Sequence, residues 1–368
     1  MARKLKSDKL LFLATLLLLC VSVVMVYSAS AVLAVDRFEQ PPYYFLFKQV
    51  TWAALGVCLL SLAMRVDYRS LRQPLVIWSG LGLSLVALVA VFFGPDINGT
   101  RRWLGIGGIG VQPSELAKVV VIIFTAMMLE QRMHKIDEVR YALGPIAGVT
   151  ALVCGLIVLE PDFGTAFTLL LIVSVMVFAA GLRYRYIIGT ALVMAPVLAV
   201  ILASADYRRR RLMAFLDPWA DPLGDGFQII QSQIAVGTGG VVGQGLMGGV
   251  QKLFYLPAPH TDFIYAVIAE ETGLVGASAV LVCFGVIVWR GLRISAAAPD
   301  AFGSFLALGL TMMVAFQAFV NISVVLGLMP TKGIPLPFVS SGGSSLLVSL
   351  LGMGILLNVS QHASSNPG

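Results

Sequence analysis

Residues 10–35 read LLFLATLLLLCVSVVMVYSASAVLAV, 26 residues without a charged side chain. About 20 apolar helical residues cross the roughly 30 Å hydrocarbon core of a bilayer, so this run is long enough to span one. The basic start MARKLKSDK in front of it is what a secretory signal also carries. The run exceeds a signal's apolar region, however, and no small-residue cleavage site ends it, which makes it an uncleaved first span. Comparable stretches recur at 46–64, 74–93, 113–129, 141–159, 164–181, 186–204, 263–289, 303–327 and 343–361. Together they predict an all-α polytopic membrane protein of ten transmembrane helices.

Composition agrees with that reading. The 368 residues are 58% hydrophobic and 12% charged, where an ordinary soluble domain carries roughly 25% charged residues. An average soluble enzyme is excluded, and no polar block is long enough to fold separately, so residues 1–368 read as a single transmembrane domain. The net charge of +6 is scattered in short basic clusters between apolar runs, which suits membrane topology and anionic lipids and gives no support to nucleic acid as a partner. Cys20, Cys58, Cys154 and Cys283 lie within apolar runs without metal-binding spacing and read as packing residues.

Orientation follows from the basic residues. A cytoplasmic N-terminus places Arg65, Arg69 and Arg72, then Arg132, Lys135 and Arg140, then Arg183 and Arg185, then Arg290 and Arg293 in short cytoplasmic loops. An even number of spans returns the C-terminus to the cytoplasm. Arg101, Arg102 and the run Arg208 to Arg211 are left outside, against the rule. They either contact phospholipid phosphates or serve an anionic ligand; beside Trp103, Arg102 favours the second role.

Two outer segments are unusual. Residues 94–112, GPDINGTRRWLGIGGIGVQ, combine a turn signal with glycines that admit close backbone approach. A long extracytoplasmic loop at about 205–262, between helices 7 and 8, holds DPWADPLGDG, then FQIIQSQIAVG, then a glycine-rich run at 237–249. FQIIQSQI is expected as a short interfacial helix with Ile229, Ile230 and Ile234 turned toward lipid.

Ionisable groups at membrane depth are costly and therefore candidates for function. Glu115 and Lys118 share a helix face just after Pro113, where they either fix packing as an ion pair or leave Lys118 facing an anion. Glu160 and Asp162 flank Pro161 at a turn and read as structural, whereas at least one of Glu270 and Glu271 is expected to line an interior cavity. Gln317 and Asn321 read as helix–helix contacts. Asp262, preceded by His260 and Thr261, is either a helix N-cap or a general base with a raised pKa. MPTKGIPLPFVSSGGSS, with Lys332 and Ser340, suits a hydroxyl-rich cavity rim. No P-loop, dinucleotide fingerprint, HExxH or nucleophile elbow is present, so the chemistry must come from carboxylates and arginines. The external arginines, the glycine-rich backbone and Asp262 together suggest a site for a lipid carrying phosphate or diphosphate.

The segments NGTRRW (98–103), QPSELAK (112–118), LDPWADP (216–222), HTDFIYAVIAEE (260–271) and PTKGIPLPFVSSGGSS (330–345) resemble, in kind and order, the signatures of the shape, elongation, division and sporulation (SEDS) family. Asn98-Gly99 before the Arg-Arg-Trp segment, QKLFYLPAPHTDF and PTKG are more similar to its division member than to its elongation member. The resemblance implies a peptidoglycan glycosyltransferase that polymerises lipid II, releases undecaprenyl diphosphate on the outer face of the bacterial cytoplasmic membrane, and works with a class B penicillin-binding protein and other divisome proteins at the septum. It places the essential aspartate on Asp262, the Arg-Trp pair on Arg102 and Trp103, and the Gln-Pro-Ser-Glu and Lys on Gln112, Pro113, Ser114, Glu115 and Lys118. Ser341 and Pro259 depart from the family pattern and put only rim shape in doubt.

Asp262 is then the catalytic candidate, as general base or as ligand of a divalent cation such as Mg or Mn. Substrate contacts are expected from Arg102, Trp103, Gln112, Ser114, Glu115, Lys118, Arg208, Arg210, His260, Lys332 and Ser340, with backbone donors from the glycine-rich run. A lipid II flippase, or a non-catalytic scaffold for the transpeptidase, is the alternative that the residues themselves leave open.

Overall fold

The computed structural model describes residues 7–96, 100–106, 109–135, 138, 141, 143–186, 188–189, 192, 196, 206–253 and 255–363. Its helices are α1 (Lys9–Phe38), α2 (Tyr44–Ala63), α3 (Pro74–Ala90), α4 (Pro113–Arg132), α5 (Gly144–Leu159), α6 (Phe163–Ala179), α7 (Asp206–Leu216), α8 (Phe227–Gly239), α9 (Ile264–Ala297), α10 (Ala301–Val325) and α11 (Gly343–Ala363). Starts are marked by residues that satisfy the first amides or need none. Asp8, Asp162 and Asp300 accept from Leu11, Thr165 and Gly303, and prolines open α3 and α4.

Among the described residues, six helices are long and apolar enough to cross a membrane: α1, α2, α3 with its continuation to Phe93, α9, α10 and α11. Helices α5 and α6 are apolar but only 16 and 17 residues long. The chain is a multi-pass membrane protein. The span expected at 186–204 lies for the most part outside the described residues; the other expected spans fall on described helices. In the spanning windows of α10 and α11, 78% and 83% of residues are buried, against 22–44% for the other four, so these two form the centre. Helix α4 packs on α10, α11 packs on α2, and α1 packs on α9. The outer helices expose leucine and valine, as on α3 at Leu75, Leu83 and Val86, an apolar surface suited to lipid.

The bundle has two polar ends. At one, Asp8 pairs with Arg290, the Tyr68 hydroxyl donates to Asp300, and Asn358 accepts from the Tyr68 amide. At the other lie the α5–α6 turn, the start of α9 and the segment before α11. The described part of residues 94–112 is not helical: it forms a short antiparallel hairpin of β1 (Leu104–Ile106) and β2 (Ile109–Val111), with Gly105 opposite Gly110.

The stretch read as a long loop contains α7 and α8. Helix α8 turns outward only Ile234 of the three isoleucines expected to face lipid, because Ile229 and Ile230 are buried. It packs beside α9 at a break in that helix, where Gly273 has φ 66° and ψ −164°. Only a glycine fits, since a Cβ there would stand 2.4 Å from the Gly243 nitrogen. The break frees backbone groups that must be satisfied. The glycine-rich run does this: Gln244 and Gly245 N–H donate to the carbonyls of Glu270 and Glu271, and Leu274 and Val275 N–H donate to those of Gly240 and Val241.

Those contacts also correct the expectation for the two glutamates. Both are buried and bonded within the protein. Glu270 accepts from the Val250 and Gln251 amides, and Glu271 from the Met247 amide, the Ser28 hydroxyl and Lys252 Nζ at 2.6 Å. Amides of the glycine-rich run expected to serve a ligand, at Gln244, Gly245 and Met247, are engaged within the protein.

Candidate active site

The corner around Arg102 is built by three segments. Arg102 precedes the hairpin and reaches the α5–α6 turn, donating from Nε to the Glu160 carbonyl (3.0 Å) and from Nη2 to the Pro161 carbonyl (2.7 Å). The next residue, Asp162, caps α6 through the Thr165 amide and hydroxyl, and it accepts from Gln112 Nε2 at 3.0 Å just before α4 begins. Asp162 is thus more than a turn residue, since it ties the starts of α4 and α6 together. Trp103 lies over Gly110 of the hairpin, where a Cβ would meet its ring at 3.2 Å.

Asp262 is held from behind by its backbone. Asn321 Nδ2 on α10 donates to the Asp262 carbonyl and to that of Ile334, 2.8 Å each. Ser340 Oγ donates to the Thr261 carbonyl (2.6 Å) and accepts from the Leu336 amide, while the Ser341 amide donates to the His260 carbonyl. These bonds fix the start of α9 against the proline-rich segment. The Asp262 side chain accepts no hydrogen bond from the described residues, so it does not act as the N-cap of α9. A Cβ on Gly333 would lie 3.1 Å from its Oδ2, so that glycine keeps the carboxylate's flank open.

The charges around Asp262 come from separate elements. Arg211 on α7, whose Nη1 donates to the Thr331 carbonyl, and Arg102 both favour the ionised form. Burial outweighs them, and with repulsion from Asp162 it pushes the Asp262 carboxyl up to about 6. Of the described side chains in the arginine run, Arg211 is the one whose charge acts on Asp262. Arg210 pairs with Asp225 in an exposed position (3.3 Å), and the Arg208 side chain lies outside the described residues.

The other expected residues are placed as follows. Glu115 and Lys118 pair with each other at 2.8 Å, fully buried, and the adjacent Ser114 hydroxyl is buried without a partner. Lys332 Nζ lies 5.3 Å from the centre of the Phe167 ring, and burial lowers its pKa. The His260 ring packs on Phe45, and burial pushes its pKa down to about 4, so it is neutral at physiological pH. Ser340 braces two loops with its hydroxyl rather than facing open space. The structure therefore brings Asp262, Arg102, Gln112 and Lys332 around Asp162 and adds Arg211. Asp162 carries no special sequence signal beyond its position after Pro161, and only proximity in space reveals its part.

Among the described residues, no three His, Cys, Asp or Glu side chains gather as a metal site. A divalent cation here would have Asp262 as its protein ligand and would need oxygens of the substrate, an arrangement within the habit of Mg²⁺.

Residues 8–365 match the model of the FtsW/RodA/SpoVE family, described as cell cycle proteins. The chain belongs to this family. One family member, the probable peptidoglycan glycosyltransferase FtsW of Geobacter metallireducens, is 43% identical over 98% of this chain and 96% of its own length. Stage V sporulation protein E of Bacillus subtilis is 42% identical, covering 98% and 99%. Among solved structures, a chain from a study of the coordination of polymerization and crosslinking by a peptidoglycan synthase complex superposes with a TM-score of 0.81 at 34% identity, covering 98% of this chain and 100% of that one. The rod shape determining protein RodA of Thermus thermophilus gives 0.71 at 30% identity, covering 97% of each.

Proposed function

We propose that this chain is a peptidoglycan glycosyltransferase that polymerises lipid II at the polar end holding Asp262, on the outer face of the cytoplasmic membrane. The observation that carries the reading is a half-buried carboxylate without a hydrogen-bond donor among the described residues, with the charges of Arg102 and Arg211 acting on it from two other elements. The names of the relatives support the reaction. The orientation is supported by the basic residues Arg65, Arg69, Arg72, Arg290 and Arg293 near the opposite end, the pattern of a cytoplasmic face.

Asp262 accepts the proton of the acceptor sugar's 4-hydroxyl as its oxygen bonds to the anomeric carbon of the donor. The bond from that carbon to diphosphate breaks, and undecaprenyl diphosphate leaves with the electron pair. A base in this position contributes roughly 10²- to 10⁴-fold. Arg102 and Arg211 neutralise the charge that grows on the leaving oxygen. A divalent cation, held by Asp262 and the diphosphate, would supply the same neutralisation. The donor lipid enters sideways from the bilayer.

A class B penicillin-binding protein is the proposed partner, supported by the synthase complex among the structural relatives. Cell division at the septum is the proposed setting, with other divisome proteins; it rests on the FtsW-named relatives and on the QKLFYLPAPHTDF segment. The test is lipid II polymerisation by the purified chain with its transpeptidase, whose own active-site serine is blocked. Glycan ladders are expected. Lipid II translocation in proteoliposomes without ladders would replace the polymerase with a flippase.

A further inference from the structure

The turn between α5 and α6 holds a carboxyl that this chemistry does not use. Glu160 is 1% exposed, and among the described residues neither of its oxygens meets a hydrogen-bond donor. A buried carboxylate without donors is costly, whereas the protonated acid loses far less on leaving water. The Glu160 carbonyl and that of Pro161 are also where Arg102 docks, so the guanidinium is held beside the carboxyl by the same stretch of chain. The charged groups that act on Glu160 are Asp162 and Arg102; Asp162 is in turn within reach of Lys332 and Asp262. Burial first and Asp162 second push the Glu160 carboxyl up to about 8, against the pull of Arg102.

We infer that Glu160 is a positioning residue kept protonated at neutral pH, so that the positive charge of the adjoining Arg102 stays uncompensated for a prenyl diphosphate. The inference rests on the diphosphate site proposed above and adds a control on it. An ionised Glu160 becomes the internal counter-ion of Arg102 and competes with the ligand. By linkage, diphosphate bound above the Glu160 pKa draws one proton onto that carboxyl, and affinity falls by up to about tenfold per pH unit there.

The test measures the affinity of the full chain in nanodiscs for farnesyl diphosphate between about pH 7 and pH 9.5, alongside lipid II polymerisation by the same preparations. Wild type is expected to lose about tenfold in affinity over the last pH unit. Glu160→Gln, which cannot ionise, should lose no more than about twofold, and Glu160→Asp should restore the loss. A purely structural role would lower affinity at every pH without changing the slope. An alkaline loss that persists in Glu160→Gln, which would belong to Lys332 or to the ligand, overturns the inference, as does a wild type that binds no farnesyl diphosphate at any pH. Glycan made by a protein whose Gln variant keeps the loss would sink the inference and leave the polymerase. A Glu160-dependent loss without glycan would sink the polymerase and leave the inference.

Discussion

Two carboxylate clusters stand in this molecule, and they are treated in opposite ways. Around the break in α9, Glu270 and Glu271 receive backbone amides, the Ser28 hydroxyl and Lys252 Nζ, and Lys252 and Glu271 are both buried. At the start of the same helix, Asp262 receives no donor from the described residues while its backbone is fixed by Asn321 and its flank is kept open by Gly333. Both clusters combine acids with nearby cations. In the first, every charge is answered inside the protein, which locks a loop onto a broken helix. In the second, the described side-chain contacts of the cations are to carbonyls, Arg102 on the α5–α6 turn and Arg211 on Thr331, and no hydrogen bond from either reaches the Asp262 carboxylate. Hydrogen bonding, more than residue type, separates scaffold from site.

Changes that disturb one cluster should leave the other's property alone. The largest expected effect is on stability: Glu271→Gln removes the counter-ion of buried Lys252 and should cost about 3–5 kcal/mol, read as a lower melting temperature in detergent, while the protein that stays folded keeps its polymerisation rate. Next, Arg102→Gln or Arg211→Ala should weaken prenyl diphosphate binding about tenfold to hundredfold in a titration, with little change in melting temperature. A pH series sharpens the contrast. With the Asp262 carboxyl near 6, kcat/KM should fall about tenfold per unit as the base is protonated below that value. Smallest of all, Arg210→Ala breaks an exposed pair with Asp225 and should change stability by less than about 1 kcal/mol and polymerisation by less than twofold.

Much of the bundle was legible in the sequence because apolar length alone marks a span. The run at 10–35 became α1, and Pro74 and Pro113 open the helices expected after them. What was not legible depends on pairing across the chain. At least one of Glu270 and Glu271 read as a cavity-lining acid because their partners, Ser28 and the amides of 247–251, lie elsewhere in the sequence. Ile229 and Ile230 fit a lipid-facing stripe as well as a buried one, since apolar faces toward lipid and toward another helix look alike. Asp262 was legible as a candidate, but setting aside the cap needed the absence of a bond from its side chain to the helix it precedes. Within the arginine run, only the turn of α7 distinguishes Arg211, whose charge acts on Asp262, from Arg210, paired at the surface.

The central claim is that the unanswered carboxylate does the chemistry and the answered one holds the fold. It is tested most directly by measuring glycan synthesis and melting temperature together for Asp262→Asn and Glu271→Gln. A carboxyl whose pKa is raised on folding loses stability as pH rises from its ordinary value to the raised one, so at pH 7 the Asn variant should melt no lower than wild type. Glycan ladders should vanish from that intact protein, while Glu271→Gln should melt earlier and still make them. Ladders from a well-folded Asp262→Asn protein at the wild-type rate would contradict the account.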